Sequence, residues 1–162
     1  MFSIEIETLA RLLIDEARSR SLRLATAESC TGGLVAGAIC AIPGASDVFE
    51  RGFVTYTNRA KQEMLGVPGD MIADHGAVSE PVARAMAEGA LANSNAHIAV
   101  AITGIAGPGG GTPMKPVGTV HLAVARANRS VMHRHEVFDG ETRPEVQAAA
   151  IAVALTMMRE AV

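Results

Sequence analysis

A hydroxyl, a thiol and two glycines stand together at Ser29, Cys30, Thr31, Gly32 and Gly33, directly after a short apolar run. A strand-to-helix turn at this point would present free backbone N–H groups, which favour an anion or a developing oxyanion. Gly32 and Gly33 permit close backbone approach to a ligand. A hydroxyl in that turn is placed to attack a carbonyl held by those N–H groups. A serine N-cap with glycines for helix–sheet packing accounts for the same local pattern. Cys30 is the rival nucleophile. A thiol at a helix N-terminus has a lowered pKa, whereas most free cysteines are small buried hydrophobes. Spacing alone does not separate these two neighbours.

A serine nucleophile needs a base, and no histidine stands in these segments. Lys61 is the alternative, three residues after Asn58, which is expected to cap a short helix. A Ser–Lys pair works only with a neutral amine, so burial must lower the lysine pKa. Tyr56, the only tyrosine, could relay the proton or orient the lysine. A solvated helix lysine and a strand tyrosine with an exposed hydroxyl are the plainer alternatives. The glycine-rich run from Thr103 and Gly104 to Gly111 could form a nest of N–H groups around a phosphate, although it matches neither a Walker A loop nor GxGxxG. Arg143, in the first turn of the last helix, could pair with a phosphate or simply lie on the surface. His133 and His135 share one side of an expected strand and read as a solvated face. His75, His97 and His121 read as isolated and structural, so no metal ligand set is assigned.

The elements that must position these groups follow from periodicity. Ile6, Leu9, Leu12, Leu13 and Ala17 predict an amphipathic helix over residues 3–20. Strands are expected at 22–27, 52–57 and 98–103, with helices at 34–42, 59–65 and 79–92, the last with Ser79 as N-cap. Residues 104–118 hold six glycines and three prolines and must be loop. Residues 119–127 and 131–138 flank Asn128, Arg129 and Ser130 as an antiparallel hairpin. Thr142 and Glu145 form a capping box for a last helix running to about residue 160. The alternation predicts an α/β fold, a three-layer α/β/α sandwich on a mixed, mostly parallel sheet, as one domain over 1–162. If the early strands are parallel, Ser29, Tyr56 and Thr103 converge at their carboxyl ends, where open α/β sheets bind ligands.

Composition narrows the function. Hydrophobic residues make up 49% of the 162, which supports a packed core. Fourteen Lys plus Arg against 17 Asp plus Glu, with 3% aromatics, argue against nucleic acid as a partner. Cys30 and Cys40 form no disulfide framework, which fits a reducing compartment. The acidic N-terminus and the lack of a long apolar run predict a cytoplasmic protein with no membrane partner.

The chain resembles the C-terminal domain of competence/damage-inducible protein CinA. The likeness is carried by Ala27 through Gly33, by Tyr56 through Lys61 with Leu65, Gly66 and Val67, and by Gly76, Ala77, Val78 and Ser79. It continues in Thr103 through Pro108 and in Lys115, Pro116, Val117 and Gly118. The resemblance implies nicotinamide-nucleotide amidase activity: nicotinamide mononucleotide plus water gives nicotinic acid mononucleotide and ammonia, with no cofactor or metal, in a homo-oligomer. It implies Ser29 as nucleophile with Lys61 and Tyr56 handling the proton. Thr31, Gly32, Gly33, Thr103, Gly104 and Arg143 would hold the substrate, with Glu28 and Asn58 as supporting polar residues. A binding module of the same fold without turnover is the alternative reading. Gly109 follows Pro108 where relatives often carry Thr, and Gln147 stands where they often carry a second arginine. Long members add an N-terminal domain linked to ADP-ribose pyrophosphatase activity, which is not expected of this chain.

Overall fold

In the computed structural model, which describes all 162 residues, alternating side chains along the strands divide the interior into two unlike layers. The strands are β1 (Leu24–Glu28), β2 (Phe49–Val54), β3 (Ile98–Gly104), β4 (Thr119–Arg126) and β5 (Met132–Val137), joined in the order β2-β1-β3-β4-β5. β1 pairs in parallel with both β2 and β3, whereas β3–β4 and β4–β5 are antiparallel. Four strands therefore point one way and β4 runs against them.

Leu24, Val100, Ile102, Val120, Leu122 and Val124 face the larger core. That core is covered by α1 (Ile4–Ser19), α2 (Leu34–Cys40) and α6 (Arg143–Ala161). On the other face Ala25, Ala27, Ala99, Ala101, Ala123 and Ala125 make a shallow alanine surface. Short side chains let α5 (Glu80–Ala92) approach closely with its own Ala83, Ala87 and Ala90. α3 (Asn58–Leu65) and α4 (Gly69–His75) lie beside α5. The arrangement is the expected three-layer α/β/α sandwich on a mixed sheet.

Local rules account for most boundaries. Ser3 caps α1 by accepting from Ile6 N, and the buried stripe is Ile6, Ala10, Leu13, Ile14 and Ala17. Leu12, expected on that stripe, is exposed, because the helix turns its Ala10–Ile14 side inward instead. The capping box of α6 is present, with Thr142 N donating to Glu145 Oε2 at 2.7 Å.

Four expectations need correction. The second strand lies at Phe49–Val54, three residues earlier than the aromatic and β-branched run suggests. The chain leaves the sheet at Thr55, whose N–H goes to Glu28 O. Thr57, and not Asn58, caps α3 by accepting from Ala60 N at 3.0 Å. Ser79 precedes α5, but its hydroxyl donates to Gly76 O and caps nothing. α4, which buries only Ile72, has no apolar period to announce it and is absent from the sequence reading.

Candidate active site

The ends of the parallel strands and the helices that follow them surround a solvent-open cavity of about 230 Å³. Its wall includes Ser29 and Cys30 after β1, Tyr56 and Asn58 after β2, Lys61 from α3, Thr103 and Gly104 from β3, and Arg143 from α6. Three of the parallel strands thus deliver their ends to one edge, where such sheets place ligands.

At its centre, Lys61 Nζ lies 3.0 Å from Ser29 Oγ and 2.9 Å from Thr55 O. The Lys61 side chain is 1% exposed and pairs with no carboxylate. Burial therefore lowers its pKa below the ordinary lysine value. Thr55 O can only accept, so it takes one N–H of the amine. A neutral amine then has a lone pair free for the Ser29 hydroxyl.

Cys30, beside it, is buried, and burial pushes its thiol up to about 12. A thiolate is scarce there, unlike the lowered thiol that a helix start could produce.

The turn itself is held by Glu28. This fully buried carboxylate accepts from Thr31 Oγ1 (2.7 Å), Val35 N (2.8 Å) and Ala36 N (3.0 Å). Two corrections follow. The side chains of Glu28 and Thr31 lie beneath the turn, bonded to each other, and not on the cavity wall. The first N–H groups of α2 are also taken, since Leu34 N donates to Thr31 O and the next two to Glu28. The N–H groups that find no acceptor in the chain are those of Cys30, Thr31 and Gly33, within the turn. Gly32 and Gly33 adopt φ of +55° and +97°, which an L side chain rarely adopts, so their first role is to shape that turn.

Tyr56 is 55% exposed, and its hydroxyl accepts from Arg143 Nη2 at 2.8 Å, with no bond to Ser29 or Lys61. Arg143 Nη1 donates to Gly107 O at 2.7 Å, tying the glycine loop to α6. Thr103 Oγ1 donates to Ala77 O at 2.9 Å, holding Ala77 and Val78 as a further wall of the cavity. The sequence singles out Gly76, Ala77 and Val78 only as part of the resemblance and gives them no role. Gly104 packs where a Cβ would crowd Val120, Thr119 O and Cys30 Sγ. Asn58 stands exposed on the rim. No acidic residue lines the cavity, whereas Lys61 and Arg143 both do.

Gln147 is the residue whose placement the sequence does not foretell. Its Nε2 donates to Cys30 O at 3.0 Å, across 117 positions of chain. The histidines also differ from expectation. His121 is not isolated: its ring stacks on His135 at 4.3 Å, and its Nδ1 lies 2.9 Å from His133 Nε2. No three His, Cys, Asp or Glu side chains gather where they could hold a metal ion. His97 keeps a structural place, its Nδ1 accepting from Arg23 N at 2.8 Å. No helix is long and apolar enough to cross a membrane.

The profile of the CinA C-terminal domain matches residues 6–162. A CinA-like protein of Akkermansia muciniphila is 61% identical over 118 residues, covering 73% of this chain but 28% of its own length. One from Syntrophobacter fumaroxidans is 47% identical over 153 residues, covering 94% of this chain and 36% of its own. The chain thus spans only about a third of these relatives. Two solved structures match along nearly their whole length. The competence/damage inducible protein CihA of Agrobacterium tumefaciens has TM-score 0.96 at 50% identity, over 98% of this chain and 96% of its own. A competence-damaged protein (CinA) superfamily protein of Escherichia coli has TM-score 0.92 at 36% identity, over 100% and 94%.

Proposed function

The chain belongs to the CinA C-terminal domain family, and from that premise we propose that it hydrolyses the carboxamide of nicotinamide mononucleotide, giving nicotinic acid mononucleotide and ammonia. The observation that carries this reading is the 3.0 Å contact between Ser29 Oγ and a buried lysine without a counter-ion. An amine so desolvated can accept the serine proton.

Ser29 Oγ attacks the carboxamide carbon while Lys61 takes its proton. The oxyanion that forms is received by the unpaired N–H groups of the turn at Cys30 and Thr31. Lys61, now protonated, returns the proton to the amide nitrogen, the C–N bond breaks and ammonia leaves. Water, deprotonated by the same amine, attacks the acyl ester, releasing the acid and restoring the serine. Tyr56 acts here through Arg143, to which its hydroxyl is bonded, and not on the nucleophile.

Two features support a nucleotide substrate. A cavity of about 230 Å³ is below the roughly 300–1,000 Å³ of sites that enclose a whole ligand. It suits the ring that carries the carboxamide and leaves the phosphate at the mouth, where Arg143 stands. The Arg143 guanidinium in its wall, with no acidic residue beside it, suits an anionic substrate.

The test is ammonia release from nicotinamide mononucleotide. Ser29→Ala is expected to lower kcat by about 10³-fold or more, while Cys30→Ala keeps most of it. The reverse ranking would move the nucleophile to Cys30. Binding of the mononucleotide with no turnover by the unaltered protein would select a non-catalytic binding module.

A further inference from the structure

Gln147 is not among the residues that line the Ser29 cavity. It lies in a separate hollow shared with Phe2, Leu34 and Pro144. From there it donates to the carbonyl of Cys30 at 3.0 Å. That carbonyl belongs to the peptide unit whose N–H is Thr31's. In a trans peptide the C=O and N–H point in opposite directions and turn together as one plane. Drawing the Cys30 carbonyl toward Gln147 therefore aims the Thr31 N–H away from Gln147. This N–H has no acceptor in the chain. The second handle on the turn, Glu28, holds the Thr31 side chain and the start of α2 but makes no bond to the Cys30–Thr31 peptide unit.

We propose that Gln147 is a positioning residue for the reaction: by anchoring the Cys30 carbonyl it sets the direction in which the Thr31 N–H donates to the oxyanion. The inference rests on the amidase reading for its consequence and on the Gln147–Cys30 bond for its geometry. It predicts a split in the kinetic constants. Donors aimed at an oxyanion act on the transition state and little on the bound substrate, so a loosened peptide lowers kcat and leaves KM nearly unchanged. Losing an oxyanion donor outright costs about 10²–10³-fold, so losing only its alignment is expected to cost about tenfold. A merely structural residue would instead alter stability.

The experiment compares the full chain with Gln147→Met, of similar length but without a donor, with Gln147→Ala, and with Gln147→Arg, which restores N–H donors at that distance. Steady-state ammonia release from nicotinamide mononucleotide gives kcat and KM. The amide ¹H–¹⁵N resonances report the Thr31 N–H and, across the spectrum, whether each variant is folded. Expected are a tenfold fall in kcat with KM within twofold for Met and Ala, a shifted Thr31 resonance in both, and recovery of most of kcat by Arg. An unmoved Thr31 resonance, an unchanged kcat, a loss that falls on KM, or an Arg variant no better than Met each overturns the proposal. If the unaltered protein releases no ammonia, the amidase reading fails on its own, and the Thr31 resonance still decides whether Gln147 orients the turn.

Discussion

An amine 1% exposed, with only a carbonyl and a hydroxyl for company, is more costly to keep charged than neutral. For Lys61 this has two consequences of definite sign. In catalysis the neutral form is needed, so kcat/KM should rise with pH through a single ionisation below the ordinary lysine value of about 10.4. In stability, the unfolded lysine binds a proton over a pH range where the folded one does not. Folding therefore becomes more favourable as pH rises from the folded pKa to the unfolded one. Lys61→Arg installs a group that cannot lose its proton, and kcat is expected to drop by about 10³-fold at every pH. Lys61→Met should lose activity equally yet unfold at a higher denaturant concentration near neutral pH, since no charge is left to desolvate. A pH–rate profile flat from about 6 to 10, or an arginine variant that works, would be incompatible with lysine as the base.

At the scale of elements, the junction of β1 and α2 depends on one carboxylate. Glu28 serves as the cap that α2 lacks at Gly33, which has no side chain to offer. Glu28→Ala would leave the Thr31 hydroxyl and the N–H groups of Val35 and Ala36 buried or half-buried without partners. At about 1–3 kcal/mol for each buried orphan, partly relieved by water, a loss of about 3–5 kcal/mol is expected. Denaturant unfolding measures it, and a midpoint close to that of the unaltered protein would rule the role out. This junction also shows where sequence reading stops. Ser29 after an apolar run, Lys61 in a short helix and the Thr142–Glu145 box are signals carried within a few residues, so they can be read directly. Glu28 reads only as a polar neighbour of Ser29, because the helix it caps is reached through a turn with no fixed period. α4 escapes because it buries a single apolar residue. Gln147 and Cys30, or Arg143 and Tyr56, meet only after the sheet and α6 have packed, and nothing local records pairs separated by 117 and 87 positions.

Across the whole molecule, net charge and site charge have opposite signs. The chain carries −3 overall, yet its cavity is lined by the Arg143 guanidinium and no acid. The topology makes this possible. β1, β2 and β3 run in parallel, so their following segments bring Ser29, Lys61 and Thr103 to one edge, and α6 returns over that edge with Arg143. The acidic side chains stay on the flanks, several paired with arginines, as Glu16 is with Arg159 and Glu80 with Arg84. An attraction so localised should act on the charged end of a substrate and little on a neutral one. Arg143→Ala is therefore expected to raise KM for nicotinamide mononucleotide by about 10–100-fold, the worth of a charge-assisted hydrogen bond, while leaving the slow hydrolysis of free nicotinamide unchanged. Arg143→Lys keeps the charge but not the fork that now holds both Gly107 O and Tyr56 OH, and should fall between. Added salt should raise KM for the unaltered protein and have little effect on the alanine variant, because only the former has an exposed guanidinium at the cavity to screen. Equal losses on the nucleotide and on free nicotinamide would instead mean that Arg143 supports the fold of the glycine loop and does not meet the phosphate.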